Sequence, residues 1–248
     1  MERIDKNIQI VSKEINTIIT RENWTIRLFT ELEKAFNIVF FGGVVRDILY
    51  GHEQQIRDID LVLYPKSKSD MDRQGELLRK IVESICGTSY SYNQFNGYKI
   101  KGKINAVDIW LLKDTWAFQK ELLPMSLSNL LQSVYLNIDA YAWHYNKKKF
   151  VSHCDTRNVR IIDIVLEESD CEWLNLIRAV VFSSKYGISL SEMIIKKLCW
   201  MLKEWSSIET EVYAIEKRHY GKIAVTGKDI KDMICCEKQG EIYEKYML

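Results

Sequence analysis

The sequence is short of chain breakers: two prolines and 11 glycines in 248 residues. That scarcity excludes collagen-like, proline-rich and low-complexity architectures and points to long stretches of regular structure. Charge of one sign is lacking too, since 35 Lys and Arg face 34 Asp and Glu for a net charge of +1. No global field therefore marks the chain for nucleic acid, and binding of that kind must come from local patches such as Lys147–Lys149 or Glu216–Lys222. On their own, those stretches read as a solvated hairpin tip and a solvated helix end. The six cysteines (Cys86, Cys154, Cys171, Cys199, Cys235, Cys236) form no C-x-x-C pair and have no histidine at finger spacing. They read as reduced thiols rather than as a zinc site or a disulfide framework. The charged N-terminus has no apolar signal core, and the longest uncharged run, 122–138, carries proline, serine, asparagine and glutamine. The expectation is a cytoplasmic protein with no membrane partner.

What is present is 47% hydrophobic residues in a changing rhythm. Residues 5–36 show helical spacing, as two helices meeting near Thr20–Asn23. A β-rich run, "NIVFF", ends at Gly42-Gly43, and "VVRDILYG" reads as a helix closed by Gly51. "DIDLVLY" is a second strand, followed by a long helix capped by Ser69 or Asp70. "YKIKGK" and "INAVDIWLL" form a hairpin through Gly102, and a further hairpin turns over Asn146–Lys148. From Glu167 the pattern is helical, with a glycine stop at Gly187. The fold class expected is α+β: a mixed β-sheet flanked by helices over 1–165, with the α/β core from about residue 25, then an all-helical part over 166–248.

The chemistry concentrates in "FFGGVVRDILYGHEQQIRDIDLVLY". Residues i and i+2 of a strand share a face, so Asp58 and Asp60 set two carboxylates side by side. Like charges so close repel, and a divalent cation reverses that cost. Magnesium suits carboxylate and phosphate oxygens, which makes nucleotide-bound Mg²⁺ the expected cofactor. Gly42 and Gly43 open a helix directly after a strand, where unpaired amides and the helix dipole favour anions, and a backbone without Cβ allows phosphate to approach. Arg46, one turn on, reaches a phosphate or pairs with Asp47. Asp108, a lone charge in an apolar strand, is the candidate third acid of a two-metal site.

These residues resemble the head-domain signature of bacterial CCA-adding enzymes and poly(A) polymerases, within the polymerase β-like nucleotidyltransferase superfamily: G-G-x-V-R-D-x-L-x-G followed by D-x-D. The resemblance implies that Gly42, Gly43 and Arg46 hold a nucleoside triphosphate, that Asp58 and Asp60 bind Mg²⁺, and that Asp108 is the third acid. Weaker echoes run on. "YLNIDAYAWHYNKKKFVSHCD" is similar to the F-T-I-N-A-x-A segment and "EWLNLIRAVVFSSKYGISL" to the neck helix, where Arg178 matches the second arginine. "KIAVTGKDIKDMICCEKQGEIYEKYML" is similar to a late G-x-D-L segment. Two departures stand out. Ser133, Val134 and Tyr135 replace an arginine pair and an aspartate, and Cys171, Glu172 and Asn175 replace the base-reading E-D-x-x-R, leaving Asn175 to read a base edge.

The function expected is Mg²⁺-dependent transfer of a nucleoside monophosphate from an NTP to an acceptor hydroxyl. An RNA 3′ end, tRNA included, is the leading acceptor, with Trp143 and Tyr145 available for stacking or, alternatively, packed on a sheet face. Two other readings stay open: transfer to a protein or small molecule, and a non-catalytic nucleotide-binding regulator.

Overall fold

The computed structural model describes residues 2–87, 89–92, 96–151 and 159–235. His153, Cys154, Cys236 and the end of the late segment lie outside them. The described chain forms two compact units, one made of 1–134 with 139–158 and one of 135–138 with 159–248.

The first unit opens with α1 (Glu2–Thr20) and α2 (Asn23–Ala35), then β1 (Phe36–Phe41), α3 (Gly43–Leu49) and β2 (Asp58–Pro65). Next come α4 (Gln74–Cys86), β3 (Tyr90–Tyr92), β4 (Tyr98–Lys101), β5 (Ala106–Leu111), α5 (Trp116–Gln119), α6 (Leu127–Leu130), β6 (Ala142–His144) and β7 (Lys149–Phe150). The strands make one mixed sheet in the order β3-β4-β5-β2-β1-β6-β7. Its single parallel pairing is β2 with β5; the other neighbours run antiparallel.

The period of two along each strand assigns the faces. Ile38, Phe40, Ile59, Leu61, Leu63, Val107 and Ile109 are all fully buried on one face, where Phe29 of α2 stacks on Phe40 with ring centroids 5.5 Å apart. Burying such a side chain contributes about 1.5–3 kcal/mol, so this face anchors the unit. On the opposite face Val39, Phe41, Val62 and Ala142 pack with Leu112, Phe118 of α5 and Leu130 of α6. This second face changes character along β2 and β5, apolar at Val62 and acidic at Asp60 and Asp58.

Two readings of the sequence are corrected. The helix after β2 starts at Gln74, not at Ser69 or Asp70. Ser67 instead caps a short 3₁₀ turn at Lys68–Asp70, and the Asp70 carboxylate pairs with Arg73 at 3.2 Å. Trp143 is 1% exposed and packs edge-on against Phe150, while Tyr145 lies against Phe29 and Phe40. These aromatics are sheet packing, not a stacking platform.

In the second unit, β8 (Ile161–Ile162) pairs in parallel with β9 (Ser189–Leu190), and α7 (Glu172–Tyr186), α8 (Glu192–Lys203), α9 (Trp205–Tyr220) and α10 (Gly227–Ile234) supply the rest. The short ladder means the region is predominantly, not wholly, helical. Gly187 ends α7 in the left-handed conformation, φ +65°, and Ser191 caps α8 through the Ile194 amide, as their residue types dictate. Among the described residues no helix is long and apolar enough to cross a membrane.

Candidate active site

Strand register builds the acid cluster. Asp58 and Asp60 share a face of β2, and the parallel pairing sets Asp108 of β5 directly opposite Asp60. Neighbouring strands lie about 4.8 Å apart, so the three acids stand on one face at one end of the sheet. The antiparallel β1–β2 pairing places Phe41, the last residue of β1, opposite Asp60. The Gly42-Gly43 turn that follows is therefore held at the same end of the sheet as the acids.

That turn is held tightly. Gly42 has φ +64° and ψ −122°, a conformation that glycine alone adopts without strain. Its amide donates to the Tyr141 carbonyl at 2.8 Å. A Cβ on Gly43 would meet the Arg46 guanidinium at 3.3 Å, so the absent side chain also makes room for that arginine. Arg46 is 7% exposed, and its Nη1 donates to Asp139 Oδ1 while its Nε donates to Asp47 Oδ1 at 3.2 Å. The guanidinium thus ties the first turn of α3 to segment 139–141, the same segment that accepts the Gly42 amide. Of the two roles read from the sequence for Arg46, the pairing with Asp47 is the one displayed.

A basic residue not singled out in the sequence completes the cluster. Lys99 of β4 is the strand partner of Asp108, and its Nζ donates to Asp108 Oδ2 at 2.7 Å and to Asp58 Oδ1 at 3.4 Å. The lysine pKa is raised: partial burial opposes the charge, but Asp108 and Asp58 outweigh it. The alternation Tyr98-Lys99-Ile100-Lys101, in a strand hairpinned to the one carrying Asp108, was the available signal.

Among the described residues no group of three or more His, Cys, Asp or Glu side chains is arranged, as it stands, to hold a metal ion. The donor set nevertheless fits Mg²⁺ in kind, being hard carboxylate oxygens on one face of adjacent strands. The position between Asp58 and Asp108 already attracts a cation, the Lys99 ammonium.

The turn joining β4 to β5 carries a second anion, supplied by the chain itself. The Glu22 carboxylate accepts the amides of Lys103, Ile104 and Asn105 at 2.9, 3.2 and 3.4 Å. Burial acts to raise its pKa, but those amides and Trp24 overcome it and hold the carboxyl below its ordinary value. Gly102 is required beside it, because a Cβ there would lie 2.6 Å from the Asn105 carbonyl and closer still to Glu22.

The remaining candidates lie in the second unit, on α7. Asn175 donates from Nδ2 to Ser169 Oγ at 2.7 Å, and the Arg178 guanidinium lies 5.4 Å from the centroid of the Phe182 ring. Tyr135 donates to Glu172 Oε1 at 3.5 Å, and burial first, then Glu172, pushes its pKa up to about 12. Glu172 also pairs with Lys197 at 2.6 Å.

The architecture is a mixed sheet flanked by helices, with acids on adjacent strands beside a glycine turn. Comparison with solved structures finds the same fold. A tRNA-processing enzyme with CTP superposes with a TM-score of 0.56 at 16% identity, covering 88% of this chain and 57% of that one. A CCA-adding enzyme with CTP gives 0.54 at 14% identity, covering 94% and 54%. The Bacillus stearothermophilus CCA-adding enzyme in complex with CTP gives 0.50 at 21% identity, covering 73% and 45%. The chain shares the fold of CCA-adding and tRNA-processing enzyme structures and spans about half of their length. No protein-family model matches it, and no curated protein matches it by sequence.

Proposed function

We propose that the chain is a metal-dependent nucleotidyltransferase that transfers a nucleoside monophosphate from an NTP to an acceptor hydroxyl, an RNA 3′ end being the favoured acceptor. In this reading residues 1–165 carry the chemistry. The observation that carries it is Asp60 standing directly opposite Asp108, with Asp58 on the same face and the glycine turn at the same sheet end.

Asp58, Asp60 and Asp108 would hold Mg²⁺, which when bound lowers the pKa of an acceptor hydroxyl and neutralises charge on departing pyrophosphate. The chain's own share is positioning and electrostatics. Gly42 and Gly43 present backbone rather than side chain to the triphosphate. Arg46 fixes the shape of that turn through Asp139. Asn175 and Arg178 remain our candidates for contacts to the nucleotide. The structural likeness to enzymes solved with CTP supports a nucleotide substrate, and that to tRNA-processing enzymes supports an RNA acceptor.

Incubation with each labelled NTP, Mg²⁺ and deproteinised cellular RNA should label RNA and release pyrophosphate. Asp60→Asn should abolish both while retaining the wild-type melting temperature. Labelling of protein or small molecules instead would move the acceptor, and tight NTP binding with no pyrophosphate release would make the protein a regulator. The ammonium already balancing two of the acids favours that last reading as the runner-up.

A further inference from the structure

Lys99 pairs with two acids at once. Its partners are not on one exposed helical face but on two other strands, and both belong to the acid cluster. Its aliphatic stem rises from β4 with its side chain 35% exposed, while the Asp108 side chain is 16% exposed. The strand pairing opposite Asp108 leaves the lysine little choice of direction. A carboxylate cluster of this kind without a cation would be repulsive, and the ammonium removes that cost before any metal arrives. Its Nζ occupies one oxygen of each carboxylate, Asp108 Oδ2 at 2.7 Å and Asp58 Oδ1 at 3.4 Å, and a divalent ion taking those same oxygens would have to displace it.

We propose that Lys99 is a built-in counter-cation that competes with divalent metal for Asp58 and Asp108 and keeps metal affinity low until nucleotide is bound. This rests on the assignment of the acids as metal ligands. The physical consequence is conditional loading: free Mg²⁺ gains little by displacing a charge that is already balanced. A metal–nucleotide complex brings phosphate oxygens of its own, which offset the displaced ammonium. Metal and nucleotide then bind with positive coupling, and Lys99 sets the size of that coupling.

The test is Mn²⁺ binding to the full chain, by titration calorimetry and by loss of the free-ion electron paramagnetic resonance signal, with no nucleotide present. Lys99→Met removes the charge and keeps the length; Lys99→Arg keeps the charge. Lys99→Met should bind Mn²⁺ at least about tenfold more tightly than wild type, within the ordinary range of coupling between sites, and Lys99→Arg should stay near wild type. Adding a non-hydrolysable NTP should tighten Mn²⁺ binding strongly in wild type and less in Lys99→Met. Equal or weaker binding by a folded Lys99→Met protein overturns the competition. Asp60→Asn separates the two levels. If wild type binds Mn²⁺, Asp60→Asn does not, and Lys99→Met matches wild type, the metal site stands and the role of Lys99 falls. If neither wild type nor Lys99→Met binds Mn²⁺ with or without nucleotide, both fall.

Discussion

Replacing Asp139 probes what Arg46 does. The two side chains form an ion pair in which each residue is 7% exposed, and Asp47, 8% exposed, accepts from the same guanidinium. Removing one partner of a buried pair strands the other charge and costs about 3–5 kcal/mol. Because Asp47 remains beside Arg46, Asp139→Ala should fall at the lower end, roughly 3 kcal/mol. Asp139→Asn keeps an acceptor oxygen without the charge and should lose roughly half of that, since charge-assisted bonds are about twice as strong as neutral ones. Replacing a buried ionic triad with apolar residues is often neutral, so Arg46→Met/Asp47→Leu/Asp139→Leu, which leaves no stranded charge, should recover most of the loss. Urea unfolding followed by tryptophan fluorescence reads these differences as shifts in midpoint at constant slope. A loss below about 1 kcal/mol for Asp139→Ala, or a triple variant no more stable than the single one, would refute the buried-pair argument. NTP affinity of the triple variant then divides the two roles: retained binding makes Arg46 a brace for the glycine turn, and lost binding makes it a phosphate contact.

Two further outcomes follow from the same geometry. Glu22→Gln, which removes the charge accepting three amides of the β4–β5 turn, should cost roughly 1–2 kcal/mol at pH 7 by urea unfolding; its lowered pKa means that the contribution is present above the unfolded value and lost as pH falls through the folded one, so the variant and wild type should converge in acid. His144 is buried, bonded to the Tyr64 hydroxyl at 2.8 Å, and pulled down to about 4 chiefly by burial and then by Lys147 and Lys149. With the unfolded value near 6.5, stability should be full above that pH and fall by about 1.4 kcal/mol per unit on the way down to the folded value. His144→Gln should flatten that part of the profile in unfolding measured between pH 7 and pH 4, and an unchanged slope would show that the ring does not titrate there.

Much of the candidate site was legible because its rules are local. An i, i+2 spacing of acids fixes a shared face, a strand running into Gly42-Gly43 fixes a turn at a helix start, and glycine and serine fix the ends of α7 and α8. Where competing local signals existed, sequence reasoning slipped. Ser69 and Asp70 look like caps, but the chain uses them in a 3₁₀ turn and starts α4 at Gln74. Trp143 is followed by His144 and, soon after, three lysines, yet β6 is buried along its whole length and Trp143 lies in the core.

By itself the sequence determined the elements, the acid pair and the glycine turn, since each depends on residues within a few positions of one another. Tertiary structure alone decided that β5 lies beside β2 in parallel, which sets Asp108 opposite Asp60 across 48 positions of sequence. It likewise decided that Lys99 bridges Asp58 and Asp108, that Arg46 faces Asp139, and that Glu22 fills the β4–β5 turn. Strand order and the meeting of distant charges come from closing loops around a shared core, and no spacing along the chain encodes them.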